Sequence, residues 1–277
     1  MSTTNDAPGT WIIDLDGVLW LSGQAIPGSA EAVVRLRQAG IPVLFATNNA
    51  EPTMAELIRR LAAIGVEADP SELVTSGQAA ATLVEPGQRV LACGGPGLVE
   101  ALQATAATVV DQSPADAVVV GMTRAFDYEL LTRTALAVRA GARLIGTNED
   151  PTHPTPEGLF PGSGALVAAV ETAAQQPAIY AGKPHEPMAR LIAERAPRRQ
   201  WVVGDRPATD GMLARRLGMP FALVLSGVTS AGDAAGPSRP GRGGPTRQVG
   251  TDDASPTAAA EAPDLATLVD RWLARLA

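Results

Sequence analysis

Short apolar runs alternate with helix-periodic segments at the start of the chain. Residues 11–13 (WII) and 41–46 (IPVLFA) are apolar runs of strand length, and polar residues follow each of them. Between them, residues 29–39 carry apolar or small residues at helical spacing, and Gly40 is a typical helix C-cap. Strands that alternate with helices in this way predict an α/β fold with a Rossmann-like parallel sheet.

A second α/β unit is predicted between residues 78 and 178. Strands are expected at 90–93, 108–110, 117–120 and 143–146. Residues 148–164 are rich in turn formers and predict a long loop of functional or mobile character. We interpret residues 78–178 as a block inserted into a core domain of residues 1–77 and 179–277.

The C-terminal part of the core is interrupted by a segment of low complexity. Nineteen of the 33 residues from 231 to 263 are Ala, Gly or Pro, and Val249 is the only large apolar residue among them. Such a segment buries too little surface to offset its ordering entropy, so we expect 231–263 to be a disordered loop. The apolar spacing from Leu265 to Leu276 then predicts a docked amphipathic helix capped by Asp264.

Composition narrows the class of protein. The chain has 29 acidic and 22 basic residues and a net charge of −7, which argues against nucleic acid as the main partner. No stretch approaches the roughly 20 apolar residues of a membrane span, and no signal-peptide pattern opens the sequence. The single cysteine, Cys93, excludes an intrachain disulfide framework and is expected to be a small buried residue. These features predict a cytoplasmic protein without a membrane partner.

Polar side chains follow four of the predicted core strands. They are Asp14 and Asp16, Thr47 and Asn48, Lys183, and Asp205 with Asp210. The strands of a parallel sheet end at one edge, where such folds bind ligands, so these groups are expected to converge. Carboxylates held together at about 4 Å repel by roughly 4 kcal/mol per pair at an effective dielectric constant of 20. A positive charge is therefore expected among them.

Mg²⁺ is the cation that this donor set favours. Carboxylate oxygens without His or Cys suit a hard ion, and Mg²⁺ binds through a few carboxylates together with phosphate oxygens. A metal ion, Lys183 and Thr47 around one point describe a cradle for a phosphoryl group. An aspartate in that cradle could act as a nucleophile and form an aspartyl-phosphate.

Four motifs in order give the chain a family resemblance. They are residues 14–20 (DLDGVLW), 46–49 (ATNN), 181–184 (AGKP) and 204–210 (GDRPATD). With them, the chain resembles the haloacid dehalogenase (HAD) superfamily, subclass IIA, in its NagD-like, 4-nitrophenylphosphatase and phosphoglycolate phosphatase branch. Within that branch it is most similar to actinobacterial glycerol-3-phosphate phosphatases.

The resemblance implies a role for each motif residue. Asp14 would be the nucleophile, and Asp16 the general acid and then the general base. Thr47, Asn48 and Lys183 would bind the phosphate. Mg²⁺ would be held by Asp14, the Asp16 carbonyl, Asp205 and, directly or through water, Asp210.

The resemblance also implies a function for the inserted block. It would be a large α/β cap of the C2 type that closes over the site and selects the leaving group of a small phosphorylated metabolite. Asn148, Asp150 and His153 are its candidate specificity residues. Dimers that form through this cap are common in that branch, so a homodimer is compatible with the resemblance.

Several alternatives stay open at the level of sequence. Asp210 could be only the N-cap of the next helix, His153 could lie exposed in its loop, and Arg206 could be a structural ion-pair partner. The predicted reaction is hydrolysis of a phosphomonoester such as glycerol 3-phosphate or 2-phosphoglycolate. A sugar phosphate, a nucleotide or pyridoxal phosphate are alternative substrates. A phosphotransferase or mutase and a non-catalytic phosphate-binding protein are alternative functions.

Overall fold

The computed structural model describes residues 8–21, 23–155, 157–227 and 256–276. The strands are β1 (Thr10–Ile13), β2 (Trp20–Leu21), β3 (Gln24–Ala25), β4 (Val43–Thr47), β5 (Leu73–Thr75), β6 (Arg89–Cys93), β7 (Thr108–Val110), β8 (Ala117–Val120), β9 (Arg143–Gly146), β10 (Thr152–Thr155), β11 (Gly158–Pro161), β12 (Ile179–Tyr180), β13 (Arg199–Gly204), β14 (Phe221–Val224) and β15 (Ala260–Ala262). The helices are α1 (Ser29–Gln38), α2 (Met54–Ala63), α3 (Ser76–Ala81), α4 (Pro96–Gln103), α5 (Tyr128–Arg139), α6 (Ser163–Ala174), α7 (Glu186–Arg195), α8 (Met212–Leu217) and α9 (Leu265–Leu273).

A six-stranded parallel sheet carries the four motifs. Its order is β15-β14-β13-β1-β4-β5, so β1 lies between β13 and β4. Ile12 of β1 is paired with Val202 on one side and Leu44 on the other, and all three residues are buried. A strand covered on both faces needs such a continuous apolar run. The predicted parallel α/β sheet is confirmed, and its carboxyl edge collects the motif residues.

A second parallel sheet is formed within and just beyond the predicted insertion. Its order is β12-β9-β8-β6-β7. β12 pairs with β9, so this sheet extends two residues past the predicted end of the block at 178. The predicted start at 78 falls inside α3. The division of the chain into two domains itself stays a prediction.

One apolar cluster packs against both sheets. It contains Ile12 and Leu44 of the first sheet, Val119 and Ile145 of the second, and Ala80 of α3. α3 contacts α4 on one side and α7 on the other. The two sheets are thus joined through buried apolar contacts as well as through the connecting chain.

Two predictions about irregular segments need correction. The predicted loop 148–164 contains an antiparallel hairpin, because β10 and β11 pair with His153 opposite Phe160. Pro154 and Pro161 lie in these strands, and prolines conceal strand character from a propensity-based prediction. The predicted disorder of 231–263 is wrong at its C-terminal end, since Ala260–Ala262 form β15 and pair with β14. The rest of that segment up to residue 255 lies outside the described residues.

The C-terminal helix docks as predicted. The Asp264 carboxylate accepts the Thr267 N–H at 2.7 Å, which caps the first turn of α9. Trp272 packs edge-on against Trp11 with ring centroids 5.2 Å apart. None of the helices in the described ranges is both long and apolar enough to cross a lipid bilayer.

Candidate active site

Asp14 follows β1 directly and its backbone is still held by the sheet. Its N–H donates to the Val203 carbonyl at 2.9 Å, and its Oδ1 accepts the Leu15 N–H at 2.8 Å. Burial raises the pKa of the Asp14 carboxyl well above its usual range; nearby Lys183 opposes this, and neighbouring carboxylates add to it. A cation next to Asp14 would therefore favour its ionised form.

Gly17 allows the loop after β1 to approach Asp205. Its φ is +82°, and a Cβ at this position would lie 2.4 Å from Asp205 Oδ2. A Cβ on Gly227 would lie 2.0 Å from the same oxygen. Side chains at either position would displace the carboxylate. The two glycines thus give Asp205 its place beside the β1 loop.

Asp16 is held by the indole of Trp20. The Trp20 Nε1–H donates to Asp16 Oδ1 at 2.9 Å, and the Gly17 N–H donates to the Trp20 carbonyl at 2.7 Å. Burial raises the pKa of Asp16, and the indole hydrogen bond counteracts part of that effect. A carboxyl with a raised pKa is suited to donate a proton near neutral pH.

Lys183 lies at the centre of the charged groups. Its Nζ is 2.7 Å from Asp14 Oδ1 and 2.7 Å from Asp210 Oδ1, and the side chain is almost fully buried. Burial by itself would lower the pKa of Lys183, but Asp14 and Asp210 outweigh this and raise it. Lys183 is consequently a permanent buried ammonium group between two carboxylates.

Three carboxylates converge within reach of one cation. One oxygen from each of Asp14, Asp205 and Asp210 lies within 4.8 Å of the others, and all three side chains are buried. Asp210 contacts Lys183, while α8 has Gly211 as its N-cap, so Asp210 is not a helix cap here. The Asp16 carboxylate is not a member of this cluster. Hard oxygen donors of this number and charge suit Mg²⁺ or Ca²⁺.

Thr47 is the last residue of β4, and Asn48, which follows it, contacts the Lys183 backbone. Thr47 Oγ1 accepts the Asn49 N–H at 3.0 Å. The Asn48 amide brackets the backbone of Lys183, because Oδ1 accepts the Lys183 N–H at 2.8 Å and Nδ2 donates to the Lys183 carbonyl at 3.2 Å. Asn48, predicted to bind phosphate, therefore uses its side chain to position Lys183.

The loop after β9 brings the inserted block onto Asn48. Asn148 is buried, and its Nδ2 donates to the Asn48 carbonyl at 2.6 Å and to Ser163 Oγ at 3.2 Å. Asp150 Oδ2 accepts the Asn48 Nδ2–H at 3.0 Å. His153 lies further out on the hairpin, with Nδ1 3.2 Å from the Pro161 carbonyl.

Most of these groups line a cavity of about 110 Å³. It is lined by Asp14, Asp16, Thr47, Asn48, Asn49, Glu51, Met122, Asn148, Asp150, Thr152, His153, Pro154, Gly162, Ser163, Lys183, Arg206 and Thr209. Asp205 and Asp210 lie behind this surface. The structure thus brings every predicted site residue to or directly behind one cavity between the core edge and the inserted block.

The sequence profile of haloacid dehalogenase-like hydrolases matches residues 11–107, and a HAD-hydrolase-like profile matches residues 180–244. An acid sugar phosphatase of Staphylococcus haemolyticus is 35% identical over 227 residues, which cover 79% of this chain and 86% of that protein. The chain belongs to the haloacid dehalogenase-like hydrolase family.

Other members of this HAD family resemble the chain closely. The D-glycerol 3-phosphate phosphatase of Mycobacterium tuberculosis is 38% identical over 230 residues, and the match covers 80% of this chain but only 64% of that protein. A crystal structure of the mycobacterial glycerol phosphate phosphatase in complex with magnesium superposes with a TM-score of 0.82 at 33% identity. That superposition covers 97% of this chain and 78% of the other. These relatives place the chain among the phosphoric monoester hydrolases of the HAD family.

Arg206 is the charged residue of this HAD site that sequence reasoning left out. It lines the cavity, and its Nη1 lies 3.4 Å from Asp150 Oδ1. Burial by itself would lower the pKa of Arg206, but Asp150 and Asp205 raise it. The expected structural ion pair is present, and it joins the fourth motif to the inserted block. Its position between Asp205 and Asp210 in the sequence indicates that it lies at the site.

Proposed function

We propose that this chain is a Mg²⁺-dependent phosphatase that hydrolyses a small phosphomonoester through an aspartyl-phosphate on Asp14. The observation that carries the proposal is the position of Lys183 Nζ, 2.7 Å from both Asp14 and Asp210. An ammonium group and a nucleophilic carboxylate beside a carboxylate cluster can bind and attack a phosphoryl group together.

The donor set fits a divalent metal ion. Asp14, Asp205 and Asp210 supply hard carboxylate oxygens. Burial raises the pKa of Asp14, and the neighbouring carboxylates of Asp210 and Asp205 add to that rise. When bound, Mg²⁺ supplies positive charge that favours the ionised Asp14 and draws the phosphoryl oxygens into the site. Asp14, Asp205 and the Asp16 carbonyl would hold it, with Asp210 behind them.

The protein residues carry the covalent and proton-transfer steps. An Asp14 carboxylate oxygen attacks phosphorus, and the bond from phosphorus to the ester oxygen breaks. Asp16 donates its proton to the departing alkoxide, which leaves as an alcohol. A water molecule then attacks phosphorus, Asp16 accepts a proton from it, and the bond to Asp14 breaks to release inorganic phosphate.

Glycerol 3-phosphate is the first substrate that we propose. The proposal is supported by the relative named D-glycerol 3-phosphate phosphatase. It is also supported by polar residues in the cavity wall, which include Asn49, Thr152, Ser163 and Thr209. A sugar phosphate is the second candidate, because an acid sugar phosphatase is similar over nearly the same length.

Phosphate release from a panel of phosphomonoesters tests both the reaction and the substrate. The panel contains glycerol 3-phosphate, 2-phosphoglycolate, a hexose phosphate, a nucleoside monophosphate and pyridoxal phosphate, each with Mg²⁺ and with EDTA. We expect Mg²⁺-dependent release that is abolished in Asp14→Asn. No release from any ester, or equal release with EDTA, would refute the proposed function. Transfer to an added alcohol at the expense of phosphate release would indicate a phosphotransferase.

A further inference from the structure

Asp150 is the point at which the inserted block touches two motifs of the core. Its Oδ2 accepts the Asn48 Nδ2–H at 3.0 Å, and its Oδ1 lies 3.4 Å from Arg206 Nη1. Its own N–H donates to Asn148 Oδ1 at 3.0 Å, which fixes the backbone from which the carboxylate projects. Four-fifths of its side chain is buried. This carboxylate is therefore already engaged with protein groups on both oxygens.

The contact with Asp150 favours the same orientation of the Asn48 amide as the Lys183 backbone does. An ionised carboxylate only accepts hydrogen bonds, so it can face the NH₂ group of Asn48 but not the oxygen. With Nδ2 towards Asp150, Asn48 Oδ1 is directed to the Lys183 N–H at 2.8 Å. A flipped amide would place two oxygens together and break the bond to the Lys183 N–H.

We infer that Asp150 is a positioning residue that fixes Lys183 through Asn48, and not a contact for the leaving group. Three contacts connect Asp150 to the nucleophile. Asp150 accepts a hydrogen bond from the Asn48 amide, and that amide bonds to both the N–H and the carbonyl of Lys183. The Lys183 Nζ in turn contacts Asp14. The inserted block thereby helps to fix the position of the Lys183 ammonium group, which binds phosphate, and it also covers the site. This inference rests on the proposed phosphate site.

Two neutral variants at position 150 isolate the positioning effect. Asp150→Asn and Asp150→Ala both remove the negative charge next to the cavity and the ion pair with Arg206. Asparagine keeps an oxygen acceptor for Asn48 Nδ2–H, whereas alanine does not. A difference between the two variants is therefore not due to charge, and the part of it that disappears in an Asn48→Ala background reports on the Asn48 contact.

Calorimetric titration with inorganic phosphate in the presence of Mg²⁺ provides a readout that needs no turnover. A hydrogen bond to a buried amide is worth about 1 kcal/mol, so we expect the phosphate Kd of Asp150→Ala to exceed that of Asp150→Asn by about five- to tenfold. In an Asn48→Ala background the two variants should have equal Kd values. On the ester panel, Asp150→Ala should lower kcat/KM by a similar factor for every substrate, without a change in their order.

Glu149→Gln is the matched control. Glu149 precedes Asp150 and also links the block to the core, with Oε2 2.9 Å from His185 Nε2, but the bonds to Asn48 run through Asp150 and Asn148. Its phosphate Kd should stay within about twofold of the wild type. Thermal unfolding of each variant identifies loss of folded protein, and the Kd comparison uses folded protein only.

Three outcomes would overturn the inference. They are equal phosphate Kd values for Asp150→Asn and Asp150→Ala, a difference that persists without Asn48, and a changed substrate order with unchanged phosphate affinity. Failure of the proposed function looks different. In that case the wild type hydrolyses no ester, while the variants can still follow the expected order in phosphate binding.

Discussion

At the scale of single residues, the two aspartates of the first motif differ in their surroundings. Asp14 contacts the Lys183 ammonium and belongs to the carboxylate cluster. Asp16 instead accepts a hydrogen bond from Trp20 and lies outside that cluster. Burial raises the pKa of both carboxyls. A cation bound beside Asp14 would favour its ionised, nucleophilic form, whereas Asp16, outside the cluster, keeps the protonated form that an acid needs.

Asp16→Asn tests this division of roles. Asparagine keeps an oxygen for the Trp20 indole, so the loop should persist while proton transfer to the leaving alkoxide is lost. We expect turnover of glycerol 3-phosphate to fall by roughly 10²–10⁴, the range of general acid–base catalysis. A nitrophenyl ester, whose leaving group departs without a proton, should lose less. Near-normal turnover of glycerol 3-phosphate would remove Asp16 from the mechanism.

Cys93 gives a pH prediction that is independent of the site. It is fully buried at the end of β6, and burial raises the pKa of its thiol to about 12. A raised pKa keeps the thiol protonated until the pH approaches that value, so the reactive thiolate is scarce at pH 8. Native protein at pH 8 should therefore react very slowly with a disulfide reagent such as DTNB. Protein unfolded in guanidinium should react at once; equal rates would show that Cys93 is accessible.

The local sequence predicts which residues lie at the site better than it predicts which side chains bind one another there. Asp14, Asp205 and Lys183 were found because polar residues after buried strands must meet at one sheet edge. Asn48 is predicted to bind phosphate, but its side-chain amide has partners 135 and 102 residues away, at Lys183 and Asp150, that the sequence does not indicate. Side-chain pairing over such separations depends on packing that no local pattern records.

At the scale of elements, the β10–β11 hairpin is the part of the inserted block that adds an outer wall to the cavity. Thr152, His153 and Pro154 of β10 line the cavity, and the His153 ring packs edge-on against Phe160 of β11 with centroids 6.2 Å apart. Asn148 is buried under the hairpin and bound to Asn48. All three predicted specificity residues line the cavity, and Asn148 and Asp150 are bound to Asn48, so we propose His153 as the residue that meets the leaving group.

Replacing His153 should therefore change substrate preference. We expect His153→Ala to alter the order of natural phosphomonoesters in kcat/KM, with a smaller effect on a nitrophenyl ester. Leu159→Ala is a matched control, since Leu159 lies on β11 of the same hairpin, is 65% exposed and does not line the cavity. An equal loss on every substrate, or the same change of order in Leu159→Ala, would contradict a specificity role for His153.

Elements that were missed have weak local signals for physical reasons. β5 has only three residues, Leu73–Thr75, which is too short to show a period. α3 is rich in Ala and Gly and is buried nearly all round, so it shows no amphipathic pattern. Longer periodic helices such as α1 and α9 were predicted to within a few residues. Tertiary packing determines the short elements, and periodicity determines the long ones.

At the scale of the whole molecule, the C-terminal segment closes one edge of the core sheet. Ala222 and Val224 of β14 pair with Ala260 and Ala262 of β15, and the Leu225 N–H donates to the Ala262 carbonyl at 3.0 Å. Two residues later in the chain, Gly227 lies against the Asp205 carboxylate. The edge strand thus supports the end of β14 from which this contact with the site extends.

Two deletions that start at residue 231 test the importance of this edge. One removes residues 231–255 and the other removes 231–263, each joined by the same short Gly/Ser linker. The longer deletion also removes β15, which pairs with β14 at three positions, and the buried Ala262. Two backbone hydrogen bonds are lost with it, from the Ala259 N–H to the Phe221 carbonyl at 2.8 Å and from the Leu225 N–H to the Ala262 carbonyl at 3.0 Å. At about 1 kcal/mol for each of these hydrogen bonds, it should be less stable than the shorter one by roughly 2 kcal/mol. For a chain of this length that corresponds to a Tm lower by roughly 4–8 °C.

Both deletions lack residues 231–255 and share one linker, so a difference between them is due to the loss of residues 256–263. Thermal unfolding followed by circular dichroism gives the difference in Tm. Loss of β15 should also weaken phosphate binding, since β14 would become an edge strand next to the Gly227 contact with Asp205. Equal Tm values for the two deletions would show that β15 contributes nothing to stability.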